Sequence, residues 1–319
     1  MSKIMTEDMH ANADYPTEFT QIDIEGIMGM AMNNIVWDIQ NNTIIDLGEN
    51  KVVITALKGT RKLSDEEVVE IYGEERIFEH IEYPSKMKQM KEDEGAFWSM
   101  LTYFDSVKVP VIAHGIDLME SGVITGKSNL DFANDIYACV LRQYAHYNQE
   151  NVYKIGQYGQ YFPAVCEDPL KYIQYQPELR DSLQELKDRG IRLFLATNSH
   201  TESMDLIIET TLGENWKSLF DFQLAYCCKP SFFFNKTPFY SIDEKASNMK
   251  GPAIEDASQL EMGNVYLQGN GLLLHQFYQK LLGKDQVRVC YFGDHLGSDV
   301  AYGGTFKPDL PGQDETGPV

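Results

Sequence analysis

Hydrophobic and polar positions change rhythm twice along the chain. Up to about residue 33 the text is polar, rich in methionine and weakly patterned, and reads as an N-terminal arm. From Asn34 short runs alternate, "NIVWDIQ" and then "NNTIIDLGENKVVITALKG", broken by the turn signals Asn41-Asn42 and Gly48-Glu49-Asn50. Period-two alternation between turn residues predicts a small β meander. "LSDEEVVEIYGEERIFEHI" is helical, with Ser64 and Glu67 spaced as a capping box. From about Lys86 to Tyr161 the periodicity is mostly helical, with Phe132, Ile136, Cys139, Val140 and Tyr144 on one face.

Near Asp168 the rhythm becomes helix, strand, helix, strand. "QPELRDSLQELKDRG" opens with Pro177 in a first-turn position and stops on Gly190. "IRLFLATNS" follows as a buried strand, "MDLIIETTLG" as a helix, and "FDFQLAYCCK" as a strand ending at Lys229-Pro230. After a polar insert reaching about Glu261, the helix "NGLLLHQFYQKLLG" feeds an apparent strand, "VRVCYF". Short connections between such elements imply an α/β fold, a parallel sheet with helices on both faces. The boundaries expected are an arm over 1–33, a domain with a small meander and helices over 34–168, an α/β core over 169–306, and a Gly/Pro-rich disordered tail over 307–319.

Composition narrows the function. The chain is 43% hydrophobic and carries a formal charge of −21, which fits a globular protein and argues against nucleic acid as partner. Five cysteines, an odd number in apolar surroundings, imply reduced thiols and a cytoplasmic setting. Neither a basic head with an apolar run nor a long apolar stretch is visible, so no signal peptide or membrane span is expected. The pattern leaves a homo-oligomer open.

Ligands of open parallel sheets sit outside the carboxyl ends of the strands. Three strand ends here are chemically notable: Thr197-Asn198-Ser199, then Lys229-Pro230, then Gly293-Asp294 with Asp299 beyond. Each has an ordinary structural explanation alone. Ser199 with Glu202 spells a second capping box, Lys229 reads as a solvated lysine, Asp294 and Asp299 as helix residues, and His200 and His295 as hydrogen-bonded bystanders. Together, in order, they make a phosphate site: hydroxyl and amide groups at a helix start, a lysine as point charge, and carboxylates for a hard cation.

"LFLATNSH", "CCKPSFF" and "YFGDHLGSD" resemble motifs II, III and IV of the haloacid dehalogenase superfamily, in the wording of its cytosolic 5′-nucleotidase branch and of the type-1 5′-nucleotidase domain-containing group within it. "VYLQGNGLLLHQF" and the segment from Ile35 to Gly73 are similar to that branch as well. The resemblance covers roughly Asn34 to Val300. It implies a HAD-like (Rossmannoid) core with a large, mainly helical cap insertion, and Mg2+-dependent hydrolysis of a phosphomonoester, such as a nucleoside 5′-monophosphate, through an aspartyl-phosphate. Carried over, Thr197 and Asn198 hydrogen-bond the phosphoryl oxygens with Ser199 assisting. Lys229 offsets their charge, and Asp294 and Asp299 hold magnesium. Base recognition would fall to the cap, where Tyr144, Tyr158 and Tyr161 are aromatic candidates, although an aromatic stripe there is more often core than base-stacking platform.

Motif I of that family, an apolar strand ending Asp-x-Asp-x-Thr, has no counterpart. The nearest text is "FTQIDIEG", which makes Asp23 a weak candidate nucleophile. The expectation is therefore divided between a family hydrolase and a catalytically inactive or truncated form that binds without turnover. The family sheet would also lack a strand, so either its neighbours close up or another segment fills the place.

Overall fold

The computed structural model describes residues 1–24, 35–82, 86, 88–90, 95–100, 103–143, 159–243 and 249–305. Tyr144, Tyr158 and the tail 307–319 lie outside them. Two compact units are formed, one of Met1–Arg142 with Asp294–Gly297, the other of Gln143–Gly293 with Ser298–Val319.

The first unit is built on an antiparallel sheet: β1 (Ile35–Asp38), β2 (Thr43–Leu47), β3 (Val53–Lys58), β4 (Arg61–Lys62), β5 (Lys88–Gln89) and β6 (Phe97–Met100), in the order β4-β3-β2-β1-β6-β5. Both faces are buried. Along β1, Ile35 and Trp37 enter one core cluster and Val36 the other, as the period-two pleat requires. The expected meander is β1 to β4. Helix α1 (Ser2–Asn12) replaces the formless arm, because Met5 and Met9, one turn apart, are fully buried against the sheet's core. The stretch after Lys86, read as helical, holds two strands first; β6 splits its side chains between the two cores, Phe97 to one and Trp98 and Met100 to the other. Helix α2 (Asp65–Tyr72) carries the capping box read from Ser64 and Glu67. Helices α3 (Lys108–Glu120) and α4 (Asn129–Gln143) follow, and Phe132, Ile136 and Cys139 are fully buried along α4.

The second unit holds β7 (Phe194–Ala196), β8 (Phe222–Ala225), β9 (Phe239–Asp243), β10 (Met249–Ile254) and β11 (Val265–Gln268), in the order β10-β9-β11-β8-β7. β7, β8 and β11 run parallel. Helices lie on both faces. Leu273, Leu274, Phe277 and Tyr278 of α7 (Gly271–Leu282) pack with Phe222 and Leu224. Met204 and Leu212 of α6 (Thr201–Leu212), with Leu183 of α5 (Pro177–Asp188), pack with Ala225 and Leu267.

Two expectations are corrected here. The sheet is mixed rather than wholly parallel, since the supposed polar insert contributes the antiparallel pair β9 and β10. "VRVCYF" belongs to no strand, and among the described residues β7 pairs only with β8 and ends the sheet. A strand needs a ladder partner to satisfy its backbone, and no described strand pairs with this segment.

Candidate functional site

The carboxyl ends of β7 and β8 are laced together by main-chain bonds. Thr197 N donates to Leu224 O at 2.9 Å, Cys227 N to Thr197 O at 3.0 Å, and Tyr226 N to Ser199 O at 2.8 Å. These bonds hold Tyr226 and Cys228 at φ +51° and +55°, a left-handed conformation that non-glycine residues adopt at a cost and that clusters at functional sites. The Asn198 side chain brackets the backbone of Lys229: Nδ2 donates to Lys229 O at 3.0 Å, while Lys229 N donates to Asn198 Oδ1 at 2.6 Å. Thr197 Oγ1 accepts from Ser199 N at 3.1 Å. The helix that follows starts one residue later than "SHTE" suggests. His200, not Ser199, is the cap residue of α6, and it makes no side-chain cap bond, so the capping-box reading of Ser199 and Glu202 does not hold.

Lys229 is the centre of the cluster. Its ammonium donates to Tyr291 Oη at 2.7 Å and Ala196 O at 3.3 Å, and lies 2.8 Å from Asp299 Oδ1. Tyr291 Oη in turn donates to Asp299 Oδ1 at 3.1 Å. The Lys229 and Asp299 side chains are only 10% and 4% exposed, so the lysine read as solvated from sequence is a buried, paired cation. Burial of such a pair is tolerated when further hydrogen bonds complete it, and here a hydroxyl and a carbonyl do so. Burial pushes the Cys227 thiol up to about 12, against the pull of Lys229, so this thiol is a packing residue and not a nucleophile at neutral pH.

Thr197, Asn198, Ser199, Lys229 and Asp299 are thus brought together in the second unit. Asp294 is exposed, and none of the bonds just described involves it. Asp23 is exposed too, in the first unit, and Tyr161, half-buried, opens a short helix Tyr161–Glu167. Among the described residues no group of three His, Cys, Asp or Glu side chains is placed to hold a metal ion. Carboxylates, completed by water and phosphate oxygens, are a donor set of the kind magnesium takes, but Asp294 falls in the first unit and Asp299 in the second. Sequence reasoning missed Tyr291, which looked like one more apolar strand position. The available signal was its place two residues before the Gly293-Asp294 stop.

A 5′ nucleotidase family model matches residues 2–304. A human 5′-nucleotidase domain-containing protein 1 is 28% identical over 267 residues, 82% of this chain and 55% of its own length. A human 5′-nucleotidase domain-containing protein 2 is 29% identical over 286 residues, 85% of this chain and 48% of its own; a rat protein of the same name is 28% identical over 302 residues, 90% and 48%. The chain spans about half the length of the curated relatives it matches. No helix among the described residues is long and apolar enough to cross a membrane. With nearly its whole length matched, the chain belongs to the 5′ nucleotidase family.

Proposed function

We propose that the second unit is a haloacid-dehalogenase-like phosphate site of 5′-nucleotidase type, acting in the cytoplasm on a phosphomonoester such as a nucleoside 5′-monophosphate. The observation that carries this reading is the buried Lys229 ammonium where the ends of β7 and β8 meet, 2.8 Å from Asp299. Thr197 Oγ1, Asn198 Nδ2 and Ser199 would donate to phosphoryl oxygens, and Lys229 would offset their charge. A phosphate arriving there competes with Asp299 for the ammonium, so Asp299 must turn toward another cation. Asp299 would then take magnesium, which when bound neutralises phosphate charge.

Hydrolysis breaks the ester P–O bond and adds water's oxygen to phosphorus. The covalent route of the family needs a carboxylate nucleophile, and no Asp-x-Asp occurs anywhere in the sequence. That favours a second reading, a site that binds phosphate without turnover. Phosphate release from a panel of nucleoside monophosphates, with and without magnesium, separates the two. Magnesium-dependent release lost in Asp299→Asn supports the hydrolase, with Asp23→Asn the next variant. Absent release with a phosphate isotherm that Asn198→Ala weakens about tenfold supports the binding form. Neither signal from a folded protein refutes both.

A further inference from the structure

The first sheet ends on each side in a two-residue strand that bears lysine, Arg61–Lys62 in β4 and Lys88–Gln89 in β5. Short, charged edge strands resist pairing with other chains. Lys62 is exposed, as that role asks, but Lys88 is half-buried. Its ammonium lies 3.9 Å from the ring centre of Trp98, on the paired strand β6, and 3.7 Å from that of Tyr137, on α4. The two rings stand edge to face, 6.0 Å apart. Trp98 is buried and Tyr137 is 42% exposed, so the amine rests against one ring in the core and one that solvent reaches.

A second cation shares the indole. The Lys108 ammonium, from the first turn of α3, lies 4.5 Å from the centre of the Trp98 ring, and its side chain is 6% exposed. Asp105, in the short helix Tyr103–Ser106, accepts a hydrogen bond from Lys108 and forms an ion pair with it. Among the described residues no carboxylate pairs with Lys88. Lys229, by contrast, has a carboxylate, a hydroxyl and a carbonyl around it. Two like charges beside one ring, with the nearby carboxylate already taken, favour the neutral form of the less protected amine. Ring faces favour a cation, but this indole is divided between two. Burial first, and then Lys108, lower the Lys88 pKa to about 8, while Asp105 pulls the other way.

We infer that Lys88 is a nucleophilic amine and a site of acylation, which takes an activated acyl group from a thioester or an acyl phosphate. Lysines become nucleophiles near neutral pH when they are desolvated or set beside another cation, and Lys88 is both. The neutral nitrogen adds to the carbonyl carbon and a C–N bond forms. The C–S or C–O bond to the leaving group breaks, the thiolate or phosphate departs with the electron pair, and one proton passes from nitrogen to solvent. The amide product is uncharged. It leaves Lys108 and Asp105 as a balanced pair, and sets a flat neutral group where an unpaired ammonium stood against two rings. Methylation would keep the charge and the like-charge contact with it. The inference rests on the first unit alone, and stands whether or not the second turns over phosphate.

The full chain is treated with limiting acetyl phosphate or with a neutral acetyl thioester, and acetylation of each lysine is followed by mass spectrometry from about pH 6 to 10. Near neutral pH Lys88 should react about tenfold faster than the exposed Lys62: more of its amine is neutral, although its lower basicity takes back part of that gain. Its rate should reach half its plateau near pH 8. Lys108→Met removes the second cation and frees Asp105 for Lys88, so the neutral-pH rate should fall about tenfold and the half-point move up. Should that variant not fold, the pH profile of the parent decides alone. Preference for either donor supports the inference and says which class the site takes. Reaction with neither, a Lys88 rate equal to that of Lys62, a half-point at about pH 10 or above, or a rate that Lys108→Met leaves unchanged overturns it.

Discussion

The two sheets of this chain each pack core clusters on both faces, yet they are finished differently. The first is sealed on both faces and blunted at both edges. Trp37, at its centre, is fully buried and donates from Nε1 to Asn42 Oδ1 at 3.3 Å. The second is sealed on its faces and, among the described residues, ends at the apolar strand β7, with the ion pair of Lys229 and Asp299 beside the strand ends. A sheet whose role is to be a scaffold can close every ladder. A sheet that carries a binding site gathers polar groups at its strand ends.

The largest effect that tests this contrast is Trp37→Ala. Removing a fully buried indole should cost about 3–5 kcal/mol, read as a lower urea midpoint by Trp37-independent probes such as far-ultraviolet dichroism. If the first sheet is a rigid scaffold, the loss should appear in full. Little loss would mean the core relaxes and the contrast is wrong. Next is Lys229→Met, which leaves the Asp299 carboxylate buried without the cation it pairs with. Breaking one side of a buried pair costs about 3–5 kcal/mol as an upper range, while changing both partners to apolar residues is often near neutral. A Lys229→Met, Asp299→Leu double variant should therefore recover most of the midpoint lost by the single one. Recovery would show that the pair is kept for chemistry and not for stability.

The smallest effect concerns an edge of the first sheet. Lys88 has its ammonium 3.9 Å from the ring of Trp98 and 3.7 Å from that of Tyr137. Burial, with Lys108 nearby, lowers its pKa from 10.5 to about 8; the ring faces favour the cation and oppose that shift. With the folded pKa below the unfolded one, the unfolded chain binds more protons between about pH 8 and 10.5. Stability from this group then rises with pH across that window and is flat below it. Urea midpoints against pH should show the rise in the parent and lose it in Lys88→Met. A parent curve without it would mean the rings win.

Much of this was legible in the residues. The meander, the box at Ser64 and Glu67, the helix from Pro177 and the buried face of Phe132, Ile136 and Cys139 all follow from local rules that tertiary contacts did not override. The convergence of Thr197, Asn198 and Lys229 was legible because strand ends of a parallel sheet share one rim. What failed was non-local. Met5 and Met9 look unremarkable until a sheet is there to bury them. β5 and β6 are short, and β6 depends on β1 for pairing as β5 does on β6. "VRVCYF" has the composition of a buried strand, but composition says nothing of whether a neighbour is present to pair with. Asp299 read as an exposed helix residue because its partner, Lys229, is far away in the sequence.

The Asn198 side chain has a consequence beyond the cluster itself. Its carbonyl and amide ends meet the N–H and C=O of one residue, Lys229, so the loop after β7 grips the loop after β8 by two bonds at once. Neither loop can open alone without breaking both. Amide hydrogens at Lys229 and Thr197 should then exchange with solvent at one shared rate, and Asn198→Ala should split that rate in two.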